Sequence, residues 1–208
     1  ERIYVTLGFR APVSELDAAT GETLREFAET DAAEEIILCG KTLVACVRNG
    51  RDSAASSESI VAVDTVSGDL LWRNPVEAVA DLTLAALDGR ICFHDTSKLV
   101  ALDLRTGRQL WQGEQTPQSA RATTAGTLLM AKDVVIFAVP GRVEARRAED
   151  GEMLWSTKSN TSFRGMPDAF VINDLAWLGT LTTTGLDLET GEVMRQIDPG
   201  HLYTGGHH

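Results

Sequence analysis

The feature that most constrains this chain is an internal repeat. A pattern with Ala, Asp, Ser or Thr, Gly, Leu and Trp at equivalent positions occurs in full at 62–72 and 101–111. Weaker copies follow the same frame, and the glycines that all copies share are Gly21, Gly68, Gly107, Gly151 and Gly191. Successive glycines are 47, 39, 44 and 40 residues apart. A period near 40 residues with strand-like patterning is typical of propeller blades, each built from four antiparallel strands.

Each copy of the repeat predicts a β-hairpin. In the third copy, β-rich runs at 99–103 and 109–111 flank a turn that contains Gly107. Glycine can adopt the positive φ of a tight turn, and Asp103 and Thr106 can hydrogen-bond backbone amides within it. The repeat aspartates are therefore assigned to turns rather than to acid–base chemistry: Asp17, Asp64, Asp103 and Asp187.

A second hairpin is predicted upstream of four of the five copies. Its turns fall at 40–41, 88–89, 132–133 and 173–174. An exposed loop at 48–59 is expected to lengthen the second repeat. By itself the stretch 14–35, rich in Ala, Glu and Leu, favours a helix, but Gly21 and the repeat frame favour strands.

The fold class predicted is all-β: a β-propeller of four-stranded antiparallel blades, with about four complete blades and one partial blade. We expect one domain over 1–208, divided into blades at about 1–30 (partial), 31–76, 77–117, 118–160 and 161–208. The first blade is expected to lack its innermost strand, because the sequence at 2–7 matches a second strand.

Composition argues against nucleic-acid binding and against a membrane-spanning helix. The chain has 30 acidic and 19 basic residues and a formal net charge of −11, which would repel the phosphate backbone of a nucleic acid. The longest apolar run is 134–139, whereas a membrane-spanning helix needs about 20 residues. We expect neither a membrane-spanning segment nor a signal peptide.

The three cysteines lie among aliphatic residues and are interpreted as core side chains: Cys39, Cys46 and Cys92.

The motif Ala-x-Asp-x-x-Thr/Ser-Gly-x-x-x-Trp resembles the tryptophan-docking motif of the quinoprotein alcohol dehydrogenase-like β-propellers, or PQQ-like repeat proteins. The resemblance implies that tryptophans pack between neighbouring blades beside the repeat glycines; the residues concerned are Trp72, Trp111, Trp155, Gly68, Gly107 and Gly151. The sequence departs from the motif at four positions: Arg25 and Arg195 replace tryptophan, Arg147 replaces aspartate, and Gly185 replaces alanine.

The number of repeats is lower than this family commonly has. Propellers of the family commonly have eight blades, which at this period need about 340 residues. Three explanations are open: a fragment forming an arc of an eight-bladed ring, a five-bladed ring completed by the tail, or two half-rings closing as a dimer. The fragment is preferred, since the tail has few apolar residues. Open blade edges would then favour self-association.

The resemblance implies PQQ on the propeller axis, with calcium held by Glu, Asn and Asp, an aspartate base and often two adjacent cysteines. The sequence has no adjacent cysteines and no hydrolase, zinc or phosphate-loop motif. We assign no catalytic residue, no metal ligand and no cofactor, and we keep PQQ and calcium only for the alternative function given below. Trp177 could stack on a planar cofactor, but a core role is preferred.

One set of polar residues recurs with the repeat. Each lies 12 to 14 positions after a motif glycine, in the connector to the next blade: Asp81, Arg121, Arg164 and Tyr203. Such connectors would ring the central opening, where the two arginines could face an anionic ligand or a carboxylate of a partner. The alternative is that these are ordinary exposed loop residues.

The leading hypothesis is a noncatalytic PQQ-like propeller that serves as a binding or scaffold module, similar to the propeller of the outer-membrane assembly lipoprotein family. Its partner would be a protein or a small ligand at the propeller face. The alternative is part of a PQQ-dependent quinoprotein dehydrogenase that oxidises an alcohol or sugar. The resemblance implies a bacterial protein of the periplasm or cell envelope.

Overall fold

The computed structural model describes residues 1–49, 57–115, 126–159, 169–179 and 182–198. These residues form β-strands joined by turns, with one short 3₁₀ helix, η1 (Ala28–Thr30). The predicted all-β class, with propeller-type blades of antiparallel strands, is confirmed. The chain divides into two compact units, Glu1–Gln115 and Thr116–His208.

The first unit contains three antiparallel sheets whose strands follow one another in chain order. The first sheet has three strands: β1 (Arg2–Thr6), β2 (Val13–Asp17) and β3 (Thr23–Phe27). The second sheet has four: β4 (Ala33–Cys39), β5 (Thr42–Asn49), β6 (Ser57–Asp64) and β7 (Leu70–Val76). The third sheet has four: β8 (Ala85–Leu87), β9 (Arg90–His94), β10 (Leu99–Asp103) and β11 (Gln109–Gln112).

The second unit contains two sheets of the same design. The fourth sheet has β12 (Thr127–Ala131), β13 (Val134–Val139), β14 (Arg142–Arg147) and β15 (Met153–Thr157). The fifth sheet has β16 (Ala169–Ile172), β17 (Leu175–Leu178), β18 (Thr183–Asp187) and β19 (Val193–Ile197). The predicted turns at 40–41, 88–89, 132–133 and 173–174 all connect the first two strands of their sheets.

The stretch with helical composition forms strands. Within 14–35 the chain completes β2, forms β3 and η1, and begins β4. The pairs Val13↔Phe27 and Ser14↔Glu26 hold β2 against β3, and Gly21 between them has a φ of 73°, which no α-helix allows. Pairing with neighbouring strands therefore overrides the helix propensity of Ala, Glu and Leu.

The middle strands of the sheets carry the core. Six successive residues of β5, 43–48, are buried, whereas a strand with one solvated face would alternate between buried and exposed. Both faces of the second sheet are covered: one packs on the first sheet around Val13 and Phe27, and the other on the third around Ile91 and Phe93. Stacking of sheets face to face therefore provides the hydrophobic core of this unit.

The loop predicted at 48–59 is shorter than expected. Arg48 and Asn49 belong to β5 and 57–59 belong to β6, and the side chains of Arg48 and Ser59 are buried. At the two described ends of this stretch, Arg48 and Glu58 belong to a buried ionic cluster described below. All three cysteines are free thiols, with Cys46 and Cys92 buried.

None of the described elements is a helix long and apolar enough to cross a membrane.

Candidate functional site

The repeat hairpins close through a common set of hydrogen bonds. In the third sheet the Gly107 amide donates to the Asp103 carbonyl over 2.8 Å, with Gly107 at a φ of 70°. The Asp103 carboxylate accepts from the Thr106 hydroxyl at 2.6 Å and from its amide at 2.7 Å. The other repeat aspartates accept turn amides in the same way: Asp17, Asp64 and Asp187. The assignment of these acids to turns is confirmed.

In the fourth sheet the turn is held differently, because Arg147 stands where the other copies have aspartate. The Asp150 carboxylate accepts the Glu152 amide at 2.9 Å, and the Arg147 guanidinium binds both acidic side chains. An ion pair across the turn thus replaces the carboxylate bonds of the other copies.

Two tryptophans connect neighbouring sheets within the units. The Trp72 indole donates to the carbonyl of Leu104 in the third sheet at 2.9 Å, and Trp155 donates to Leu188 in the fifth sheet at 2.8 Å. Each ring covers the turn glycine of that sheet. A Cβ added to Gly107 would lie 2.6 Å from the Trp72 ring, and one added to Gly191 would lie 2.6 Å from Trp155. Only glycine therefore fits below the indoles.

Arg25 makes the corresponding contact between the first and second sheets. Its guanidinium donates to the carbonyls of Thr65 and Val66 at 3.3 and 3.2 Å and lies over Gly68, where an added Cβ would be 2.9 Å away. Across the sheet, Arg25 pairs with Glu15, whose carboxylate is 3.9 Å from its Nε. The acid occupies the motif's alanine position, so both motif departures in this sheet belong to one interaction.

The remaining residues of the predicted docking set lie in equivalent strands and turns. Trp111 is buried in β11 opposite Ala101, as Trp72 is opposite Ala62. Gly151 adopts a φ of 76° in the turn between β14 and β15. Trp177 is buried in β17, and its ring stacks on Phe170 at a centroid distance of 6.4 Å.

Asp81 lies at the mouth of a recess between the second sheet and the connector that leads to the third sheet. It belongs to the connector from β7 to β8, and its side chain is 68% exposed. The recess encloses about 120 Å³ and is lined by residues of β4, β5 and the connector: Glu34, Glu35, Cys46, Arg48, Val79, Ala80, Asp81 and Leu82. The connector is held in place where Ala80 donates to the His94 carbonyl at 2.8 Å.

A buried arginine organises the recess. Arg48 is 8% exposed and binds Glu58 at 2.8 Å, Asp81 at 3.2 Å, and Glu34. Its Nη2 also donates to the Val79 carbonyl at 2.9 Å. Burial acts to lower the pKa of Arg48, but hydrogen bonds to Glu58 and Asp81 and the nearby acidic charges raise it. One fixed positive charge faces three carboxylates, so the cluster keeps an excess of negative charge.

Burial disfavours the charged forms of two further groups in the recess. Burial raises the pKa of Glu35, although the Leu84 amide donates to its carboxylate at 2.9 Å and opposes this shift. Burial also raises the pKa of the Cys46 thiol to about 12. The thiol is therefore protonated at neutral pH and is a poor nucleophile.

Sequence reasoning singled out Asp81 but missed its partners. Arg48 and Glu58 fell within the predicted loop, and Glu34 comes from another strand, so no local pattern joins them. The other three predicted connector residues, Arg121, Arg164 and Tyr203, lie outside the described residues. The structure therefore leaves the predicted ring of connector residues untested.

Stacked antiparallel sheets of about 40 residues, joined by a tryptophan over a turn glycine, define a PQQ-like β-propeller chain. Residues 10–177 match the family model described as outer membrane protein assembly factor BamB, and the chain belongs to that family. No curated protein sequence matches it significantly.

Solved structures show the same fold at low sequence identity. BamB from Moraxella catarrhalis matches with a TM-score of 0.69 and 16% identity, over 93% of this chain and 63% of that one. A europium-containing methanol dehydrogenase matches with a TM-score of 0.58 and 17% identity, over 78% of this chain and 41% of that one. The quinohemoprotein alcohol dehydrogenase of Comamonas testosteroni matches with a TM-score of 0.59 and 15% identity, over 78% and 34%. The chain thus spans less than two thirds of each of these proteins.

Proposed function

We propose that this chain is a noncatalytic propeller module that binds a protein partner during assembly of the cell envelope, in the periplasm. Membership of the BamB family supports the envelope setting, because the family is described as an outer membrane protein assembly factor. The observation that carries the binding role is the acidic recess around Arg48 and Asp81.

The recess suits a basic side chain of a partner protein. Its carboxylates are fixed by the buried guanidinium of Arg48, so little conformational freedom is lost when a cation binds. Asp81 remains largely exposed and Leu82 beside it is 80% exposed, so both are accessible to a partner. A rigid scaffold that presents charge on a connector is a common arrangement for specific protein binding.

The described residues do not fit the calcium site that PQQ needs. No three His, Cys, Asp or Glu side chains among them are placed to hold a metal ion. Three acids at the recess, Glu34, Glu58 and Asp81, are already bound to Arg48. We therefore derive no redox step for this chain.

A photo-crosslinking residue in place of Leu82 tests the proposal in the organism that encodes the chain. We expect one reproducible adduct with an envelope protein, and a weaker adduct when Asp81→Asn is added. The control carries the crosslinker at Val66, which is 63% exposed on an outer hairpin turn. Equal adducts at both positions, or an adduct unaffected by Asp81→Asn, would contradict the partner site.

Reconstitution with PQQ and calcium separates the binding module from the dehydrogenase alternative. We expect no bound-cofactor absorbance after gel filtration and no reduction of an electron-accepting dye with alcohols or sugars. Stoichiometric PQQ absorbance together with dye reduction would overturn the noncatalytic proposal.

A further inference from the structure

Glu35 enters the recess because β4 contains a β-bulge. Ala33 pairs with Val47, and the next pair in the ladder is Glu35↔Cys46. Glu34 is therefore an extra residue on this strand. In a regular strand, successive side chains point to opposite faces, whereas here Glu34 and Glu35 both line the recess. The bulge thus brings a second acid of β4 to the same site.

Glu35 differs from the other acids of the recess in its partners. The others are bound by Arg48, namely Glu34, Glu58 and Asp81. Glu35 instead accepts a hydrogen bond from the backbone amide of Leu84 at 2.9 Å. The amides of Leu82 and Thr83 also favour its charged form. Its carboxylate therefore interacts with three successive residues of the connector between β7 and β8.

The connector has an unfavourable backbone conformation at Leu82. This residue has a φ of 60°, in the left-handed region that a leucine rarely adopts. Its side chain is 80% exposed, so burial of the leucine does not account for the conformation. Successive N–H groups around a left-handed residue form a concave site for an anion. The carboxylate of Glu35 lies at such a site and stabilises the conformation.

Asp81 and Leu82, the exposed residues of the connector, lie between two anchored parts of it. Upstream, the connector donates an amide to Glu58 at 2.8 Å. Downstream, it is anchored by Glu35, together with a hydrogen bond from the Thr83 hydroxyl within the connector. The position of the exposed pair therefore depends on Glu35.

The stability of the fold does not account for a carboxylate at position 35. Burial raises the pKa of Glu35 and the nearby charge of Asp81 adds to this, whereas the amide hydrogen bonds only partly oppose the shift. The folded state therefore disfavours the charged form of Glu35 relative to the unfolded chain. A charged group that the fold disfavours, next to a strained and exposed segment, is typical of a functional site.

Other titratable groups lie close to Glu35. Arg48 keeps its positive charge, and the Cys46 thiol stays protonated because burial raises its pKa to about 12. His94, at the end of β9, meets the connector through its backbone carbonyl. The remaining groups are the acids bound to Arg48, from β4, β6 and the connector: Glu34, Glu58 and Asp81. A change of pH therefore acts on several groups, and variants of Glu35 are needed to isolate its part.

We propose that Glu35 is a positioning residue of the partner site, whose carboxylate holds the connector so that Asp81 and Leu82 are presented together to a basic partner. This inference rests on the proposed function of the recess and adds a residue on which the geometry of the site depends. Protonation of Glu35 weakens the hold, because a neutral carboxyl group accepts weaker hydrogen bonds than a carboxylate. Partner binding should then weaken in acid.

NMR of the chain alone tests the hold on the connector. The chemical shift of the Leu84 amide should follow the ionisation of Glu35 between about pH 4 and about pH 7, with a midpoint above the ordinary pKa of 4.5. Glu35→Gln keeps the shape of the side chain and should abolish this titration. Glu26→Gln, at an exposed position of β3, should leave it unchanged. A Leu84 amide that does not titrate, or that titrates alike in Glu35→Gln, would overturn the proposal.

Crosslinking from Leu82 tests the consequence for binding. Glu35→Gln and Glu35→Asp should each lower the adduct yield by about fivefold, because glutamine lacks the charge and aspartate is too short to reach the connector amides. Glu26→Gln should leave the yield unchanged. If Glu35→Asp kept the natural yield while Glu35→Gln lost it, only the charge would matter and the positioning role would be wrong.

Thermal unfolding separates positioning from a structural role. The unfolding temperature of Glu35→Gln at pH 7 should not fall, because the variant removes a charge that the fold disfavours. A fall in that temperature together with a loss of adduct would show that Glu35 acts by stabilising the fold. An adduct unaffected by Glu35→Gln would refute the positioning role and leave the partner site intact. Absence of any adduct from the chain with natural Glu35 would refute the partner site itself, and this inference with it.

Discussion

At the residue scale, the turn glycine of each hairpin meets two separate requirements. Gly107 adopts a positive φ, and it also leaves the space in which the Trp72 ring lies. Gly40 shares the first requirement, with a φ of 61°, but no atom of the described residues lies within 4 Å of a Cβ placed on it. The two glycines therefore separate backbone strain from side-chain packing.

Replacing Gly107 with alanine should destabilise the chain more than the same change at Gly40. The strain of a positive φ should cost about 1–2 kcal/mol at both positions. At Gly107 the new methyl group also displaces the Trp72 ring, which raises the total to about 2–4 kcal/mol. Urea unfolding followed by tryptophan fluorescence measures the difference. Equal midpoints for the two variants would show that the ring does not depend on the glycine.

The turn aspartates should make the free energy of unfolding depend on pH in the acidic range. The Thr106 hydroxyl, followed by the Thr106 amide, lowers the pKa of Asp103 below its ordinary value of 3.8, although burial opposes this. The stabilisation is present above the unfolded-state pKa and is lost as the pH falls through the lower folded-state value. In urea titrations from about pH 5 to about pH 2, Asp103→Asn should show a flatter decline than the natural chain. An unchanged slope would contradict the prediction.

At the scale of elements, Arg48 connects three strands and a connector. From β5, its guanidinium binds Glu34 of β4, Glu58 of β6 and Asp81 of the connector between β7 and β8. The same cluster explains why a polar stretch near 48 forms a buried strand end. The recess keeps its shape because one side chain satisfies groups from all these elements.

Arg48→Ala should leave three carboxylates close together without a counter-charge. We expect a loss of about 3 kcal/mol at pH 7. The loss should shrink in acid, because protonation removes the negative charges that repel one another. Thermal unfolding at several pH values measures this. Arg105→Ala, at an exposed turn, should cost no more than about 0.5 kcal/mol at any pH.

The sequence predicts sheets better than it predicts the recess, for a physical reason. A turn glycine and its aspartate are at most four residues apart, so the repeat alone places hairpins at Gly68 and Gly107. Arg48 and Asp81 are 33 residues apart, and no local pattern indicates that they meet. The contact made by Arg25 was missed for a related reason: its acceptor turn belongs to the next sheet.

At the scale of the whole molecule, the net charge and the recess favour the same kind of partner. The formal charge of −11 attracts basic proteins at long range. The recess adds a local excess of negative charge that attracts a basic side chain. Charge therefore favours the proposed association at both ranges.

Raising sodium chloride from about 0.05 to about 0.5 M should weaken the adduct formed from Leu82, because screening shortens the range of the attraction between the recess and a basic partner. The crosslinking yield at several salt concentrations measures the effect. A yield that does not change with salt would contradict an electrostatic role for the recess.

The junction between sheets has a consequence for how such chains can change over generations. Each joint uses one side chain from one sheet and one turn from the next, and Arg25 and Trp72 are interchangeable forms of that side chain. Deleting or duplicating one whole repeat, with its sheet, would therefore leave a donor side chain on one side of the cut and an acceptor turn on the other. The length of the array can thus vary by recombination while its core needs no redesign.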